Sequence, residues 1–369
     1  MMRYHMQEDI MARRGTRHLF APGRKKRPGL IILLLVLAFA LGAVYVTNAA
    51  INRSPALYKQ PVTVPDLSRG MEGLTILHIS DLHGAWFGEG QATLAQLINR
   101  ETFDIVVMTG DMVGRGGDMA PMLALLEALP DDVPTFLITG DDDPVPILTE
   151  PHGDSEVKAP FIREAEARGA VYLDRPERLE IRGGVVWLIP ELLYEVDVDA
   201  ALFSAQSARQ AILDSENPYA PEAGARLRAT EHQIGVIQDA QAARTAMRAT
   251  DLCVVLSHVP PGRDEVIAMR GGEGAAPAYF PGRLVLVLAG HLNAGQVRLP
   301  GLGPVHVPPN RSGAVGWFPP DHMVWGPRSV LGVAMYTSPG LGVSGAYRVP
   351  IRLFNRPGVT LVTMTSKIR

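Results

Sequence analysis

From Leu74 onward the chain alternates short apolar runs with segments of helical periodicity. LTILHIS (74–80), DIVVMTG (104–110) and TFLITG (135–140) are apolar throughout and too short for core helices, which predicts buried strands. Between them, Ala92–Arg100 and Met119–Leu129 repeat apolar residues at the spacing of a helix. Strand alternating with helix predicts an α/β fold whose parallel strands are covered on both faces. VVWLIP (185–190), LCVVLS (252–257) and LVLVLA (284–289) predict three further strands. Residues 198–250 are alanine-rich and helical in pattern, with a break near Asn217-Pro218, and read as a helical insertion or cap. From Gln296 to Ile368 glycine, proline and β-formers dominate, which predicts short strands and turns.

The chain before Leu74 follows another pattern. Leu30–Val46 carries no charge, and with its flanks it reaches the ~17–25 residues that cross a bilayer as a helix. A transmembrane anchor is therefore expected over 29–47. Arg13, Arg14, Arg17, Arg24, Lys25, Lys26 and Arg27 precede it, and only Arg53, Lys59 and Arg69 follow before Gly70. That bias predicts a basic cytoplasmic segment over 1–28 and an extracytoplasmic domain, single-pass in the cell membrane. A cleaved signal peptide is the rival, because Thr47-Asn48-Ala49-Ala50 is made of small residues. The long basic lead and the long apolar run favour the uncleaved anchor. Residues 48–70 read as a tether in which Pro55, Pro61 and Pro65 discourage regular structure. A single domain then occupies 71–369.

Composition changes this picture little. A hydrophobic fraction of 47% with 20% charged residues is that of a folded chain, and the net charge of −3 gives no case for a nucleic-acid surface. The single cysteine, Cys253, excludes an intramolecular disulfide, and its apolar run Leu252–Leu256 predicts a buried, inert thiol.

The polar residues that carry chemistry stand at the C-terminal ends of the expected strands, where open α/β sheets place their sites. Ser80-Asp81-Leu82-His83 follows the first strand, Gly110-Asp111 the second and Gly140-Asp141-Asp142-Asp143 the third. Ser257-His258 ends LCVVLS, and Gly290-His291-Leu292-Asn293 ends LVLVLA. Singly these are weak signals. A strand-end histidine is commonly a hydrogen-bonded structural residue, and Asp141–Asp143 alone reads as a solvated turn or helix cap. Together, carboxylates and imidazoles from several strand ends are what a dinuclear site for Mn, Zn or Fe requires.

The order of these motifs resembles that of the calcineurin-like metallophosphoesterases. GHLNAGQVRLP (290–300) and the glycine-rich turn within 335–364 further resemble a membrane-anchored bacterial branch, some of whose members hydrolyse UDP-2,3-diacylglucosamine. The resemblance implies a four-layer α-β-β-α sandwich with two mixed sheets, and a metal-dependent hydrolase acting on a phosphate mono- or diester. It implies two divalent ions. Asp81, His83 and Asn293 would hold the first, Asp111 would bridge both, and Asp141, His258 and His291 would hold the second. Three positions depart from the family. The family has Asn-His where this chain has Asp141-Asp142, and His where it has Asn293. Asp142 thereby takes the place of the residue that holds the phosphate and protonates the leaving group; His152, further along, reads as a surface histidine. The departures leave a second reading open, a degenerate member that binds metal or a phosphorylated ligand without turnover.

Overall fold

The computed structural model describes residues 28–152, 156–195, 197–271, 278–311, 313, 315–345, 347 and 351–367. The expected basic segment before residue 28 lies outside them. The chain divides after Thr47. The first unit contributes most of one helix, α1 (Pro28–Asn52), whose 22-residue stretch Ile31–Asn52 has a mean hydropathy of 2.4 and is exposed from Ile31 to Thr47. Its length and apolarity suffice to cross a membrane, as those of a signal sequence also do.

The second unit, from Asn48, holds two six-stranded mixed sheets. The first comprises β1 (Ala56–Thr63), β2 (Thr75–Ile79), β3 (Ile105–Thr109), β4 (Thr135–Ile138), β5 (Ala170–Tyr172) and the last strand of the chain, β12 (Gly358–Thr365). Their order in space is β1-β12-β2-β3-β4-β5, with only the β12–β2 pair antiparallel. The second comprises β6 (Glu177–Ile181), β7 (Gly184–Pro190), β8 (Leu252–Ser257), β9 (Arg283–Ala289), β10 (Gly326–Val330) and β11 (Val333–Thr337). Its order is β10-β11-β9-β8-β7-β6, parallel at the centre and antiparallel at both edges.

Strand alternation assigns the core. Ile76, Ile105 and Val107 of the first sheet face Leu188, Val254 and Leu286 of the second. Their neighbours Leu77, Val106 and Met108 turn outward beneath α2 (Ala92–Ile98), α3 (Ala120–Glu127) and α4 (Pro160–Glu166). On the other side, Trp187, Val255 and Val287 pack under Ala240, Met247, Val266 and Met269. The result is the expected four-layer sandwich. Strands covered on both faces must be apolar at every position, which is why six of them stand out in the sequence.

The helical insertion folds as α5 (Val198–Leu213) and α6 (Pro221–Ala246), separated by a turn over the Asn217-Pro218 break. Asp197 caps α5 by accepting from the amides of Asp199 and Ala200. One expectation fails. Residues 56–63, expected to lack regular structure, form β1, paired along its length with β12. β1 is an edge strand, and an edge tolerates the missing N–H of Pro61. Cys253 is fully buried, and burial pushes its thiol up to about 12.

Candidate metal centre

Each strand that ends in a motif stops in a tight turn. Asp81, His83, Asp111, His291 and Asn293 hold left-handed backbones, with φ of 54°, 46°, 54°, 68° and 47°. Such a conformation costs a non-glycine residue on the order of 1 kcal/mol or more, least for Asp, Asn and His. Five of them in one place mark a region the surrounding fold holds under strain. The turns are laced together by their own backbone. Asp81 N donates to Gly110 O at 3.0 Å, His83 N to Asp111 O at 2.9 Å, and Gly290 N to His258 O at 2.9 Å.

These turns bring the expected residues to one point. Ligand atoms of Asp111, Asp141, His258 and His291 lie within 4.8 Å of one another, and so do those of Asp81, His83 and Asp111. Asp111 belongs to both groups. Its Oδ2 stands 3.2 Å from His258 Nε2 and 3.6 Å from His83 Nε2, while its Oδ1 accepts from Asp142 N at 2.9 Å. Asp141 Oδ1 lies 2.7 Å from His258 Nε2 and 3.0 Å from His291 Nδ1. Asn293 joins the first group: its Nδ2 donates to Asp81 Oδ1 and to His291 O, both at 3.2 Å.

Two features fit a bound cation. First, two residues of the first group carry buried acceptors without partners. Neither His83 Nε2 nor Asn293 Oδ1 has a hydrogen bond, although both are sealed from solvent. A buried polar atom without a partner is costly, and a metal would satisfy both. Second, His258 is set in a ligating form. Its Nδ1 donates to Thr109 O at 2.7 Å, which turns Nε2 into the cluster, where a metal could replace its proton. That Nε2 lies 3.3 Å from His291 Nδ1, so two imidazole nitrogens converge on one point.

The electrostatics match. Burial alone would lower the His258 pKa, but Asp111 and Asp141 hold it well above the usual histidine range. The His258 and His291 imidazoles keep Asp141 far below the usual carboxylate range. Burial raises the Asp81 carboxyl. For Asp111 burial acts upward too, and the hydrogen bond and charge of His258 outweigh it, so its pKa is lowered. Asp111 and Asp141, both lowered, stand among imidazoles and offer oxygen and nitrogen donors of the kind a cation takes.

Asp142 is half-exposed at the rim. It accepts from Ser344 Oγ at 3.2 Å, and its Oδ2 stands 3.6 Å from His83 Nδ1. His152 is exposed. Sequence reasoning missed Asp143, which is not a solvated turn residue. Its two carboxylate oxygens accept from Val113 N at 2.8 Å and Gly140 N at 2.9 Å, tying the second motif's loop to the third. Burial pushes its pKa up to about 6, against the two amide bonds. Asp143→Asn leaves one of those N–H groups facing an NH2, so stability should fall by about 1–3 kcal/mol. A urea midpoint unchanged from the parent would refute that role.

Arg352 and Asn355 were missed as well. The Arg352 guanidinium is buried, and burial brings its pKa down to about 10. It donates to the carbonyls of Gly342 at 2.9 Å, Pro339 at 2.6 Å and Asn355 at 2.9 Å. The glycine turn it holds reaches the site, because Gly342 N donates to Asp81 O at 2.6 Å. Asn355 Nδ2 donates to Asn293 O at 2.8 Å.

Beside the centre opens a cavity of about 980 Å³. Asp141 and His258 form part of its wall, with Ile138 and Ile147 near them and Ala208, Ile212, Ala229 and Val236 of the helical insertion opposite. The lining is mostly apolar.

A sandwich with this cluster at its strand ends defines a metal-binding phosphoesterase architecture. The calcineurin-like phosphoesterase model matches residues 74–294, and the chain belongs to that family. Metal-dependent hydrolysis of phosphate esters is the activity of the family. No curated protein matches the chain. Among solved structures, phosphopantetheinyl hydrolase from Mycobacterium tuberculosis aligns at 14% identity over 73% of this chain and 91% of that one, with a TM-score of 0.34. That likeness is too distant to bear on function.

Proposed function

We propose that this protein hydrolyses an amphiphilic phosphate ester at a dinuclear metal centre, with the apolar part of the substrate held under the helical cap. The observation that carries the reading is the sharing of Asp111 between two ligand groups, beside a large apolar cavity. Asp81, His83 and Asn293 would hold one ion, Asp141, His258 and His291 the other, and Asp111 both. When bound, two divalent ions supply Lewis acidity to the phosphoryl oxygens and a low-pKa water as nucleophile. The chain's own residues do the rest. Thr109 O fixes the His258 tautomer, the apolar walls exclude water, and Asp142 stands at the rim to take up or release the leaving-group proton. The membrane-anchored branch of the family fits this reading, with α1 as an uncleaved anchor, the N-terminus cytoplasmic and the domain outside.

Metal content of the purified protein, measured beside hydrolysis of bis-p-nitrophenyl phosphate with added Mn, tests the chemistry. A metal-free protein without turnover sinks it. An alkyl p-nitrophenyl phosphate tests the cavity. Ile212→Asp places a charge in the apolar wall and removes a side chain worth about 1.5–3 kcal/mol of burial. KM for the alkyl ester should rise roughly tenfold or more, at 1.4 kcal/mol per factor of ten, with the small ester unaffected. Equal effects on both esters would place the alkyl chain elsewhere.

One observation favours the alternative, a member that binds metal or a phosphorylated ligand without turnover. The rim carries the carboxylate of Asp142, whereas protonating a leaving group is work for which an imidazole is better matched to neutral pH. Bound metal with no hydrolysis of either ester would establish it.

A further inference from the structure

The last turn of α1, Asn48–Asn52, belongs to the folded unit and is fastened to it. Asn48 and Asn52, four apart and so on one helix face, donate from Nδ2 to Arg352 O at 2.8 and 2.9 Å. Asn48 Oδ1 accepts from Phe354 N at 3.0 Å. Just beyond the helix, Arg356 Nε donates to Ser54 O at 2.7 Å.

The segment that receives the helix end also holds a hairpin. Leu353 N donates to Gln296 O at 3.1 Å and Leu353 O accepts from Arg298 N at 2.9 Å, at the hairpin's base. Arg298–Leu299 pairs with Gly303–Pro304, and the tip between them is Pro300-Gly301-Leu302. The tip is exposed and uncharged, and Leu302 is 67% exposed. Leu302 and Phe354 line one cleft, and Ile351, on the same segment, is 49% exposed.

Isolated exposed apolar residues are ordinary and require no partner. Here the chain itself names the occupant. Running N-terminal from Asn48 it enters the apolar stretch of α1, so a bilayer crossed by that helix begins beside the segment 351–354 and the hairpin base bonded to it. The charges agree. Arg53 and Arg356 are exposed on this part of the chain, and Asp321, which lines the same cleft, is paired with Arg298. Cations beside the helix end suit an anionic lipid surface.

We propose that the Pro300–Leu302 tip and Ile351 dock into the headgroup region of an anionic bilayer crossed by α1, holding the domain in one orientation on it. The docked segment leads directly to the metal centre. The Arg352 guanidinium donates to Gly342 O, and Gly342 N donates to Asp81 O. The proposal rests on α1 as a membrane span and not on turnover.

The test uses the full chain in nanodiscs containing phosphatidylglycerol. Cys253 is buried and weakly acidic, so the parent chain gives little labelling background. Leu302→Cys and Ile351→Cys each receive an environment-sensitive fluorophore. Phe203→Cys, at a position 74% exposed on the cap, is the reference. Labels at 302 and 351 should emit to the blue of the reference and be quenched several-fold more by spin-labelled lipid. Emission and quenching at 302 and 351 equal to those at 203, whether strong or absent, overturn the proposal. No activity is read, so this outcome and the fate of the phosphoesterase reading are independent.

Discussion

Asp111→Asn should leave a folded protein that has lost metal and hydrolyses no ester above background. The substitution keeps an oxygen able to accept from Asp142 N, so the backbone lacing of the two motifs survives. It removes the one charge that both ligand groups share. Two cations at close range would then lose their common neutralising group, and their repulsion grows as that screening falls. Residues that merely orient a metal's ligands alter affinity by ~10–100-fold, so a shared ligand should exceed that. Elemental analysis after gel filtration, paired with circular dichroism, gives the answer. Full metal content with full turnover would mean that Asp111 bridges nothing.

Gly140→Ala should be nearly as damaging, although it touches no charge. The added Cβ would lie 2.1 Å from Asp111 Oδ1, 2.6 Å from Asp111 N and 2.7 Å from His258 Cε1. None of these atoms can retreat. Asp111 is fixed by its strand end, and His258 is held by Thr109 O. Gly140 does not itself need a left-handed backbone, so alanine is excluded there by lack of room alone. A displacement of about 1 Å between reacting groups can cost roughly 100-fold in rate. The expected result is such a loss, with metal affinity reduced and thermal unfolding still cooperative. An alanine variant with parental kinetics would show that the strand ends are not closely packed.

What the sequence disclosed follows from where each part is buried. β2, β3, β4, β7, β8 and β9 lie between layers, and their near-continuous apolar character announced them. β1 did not announce itself. Lys59, Gln60 and Pro61 suit a half-exposed edge and look like a linker until β12 is placed beside them. The residues of the cluster were legible because strand-end carboxylates and imidazoles recur in one order. The supports were not. Arg352 lies 271 residues from Asp81 in the numbering, and only the folded turn at Gly342 connects them. Asp143 looked like one more acid in an exposed turn, because nothing local shows that its oxygens are claimed by Val113 N and Gly140 N. The cavity was equally hidden, being formed where residues 208–236 face residues 138–149.

The strand order β1-β12-β2 also sets a timetable for synthesis. β12 lies between two strands made about 280–300 residues before it, and both pair with it directly. Until residues 358–365 leave the ribosome, β1 has no neighbour in the sheet and β2 has one edge open. Such long-range closure is slow, and open apolar edges invite mispairing while it waits. The first sheet therefore closes only after the other strands of both sheets have been made, and a nascent chain stalled before Gly358 would present an unsealed sheet to whatever chaperones attend it.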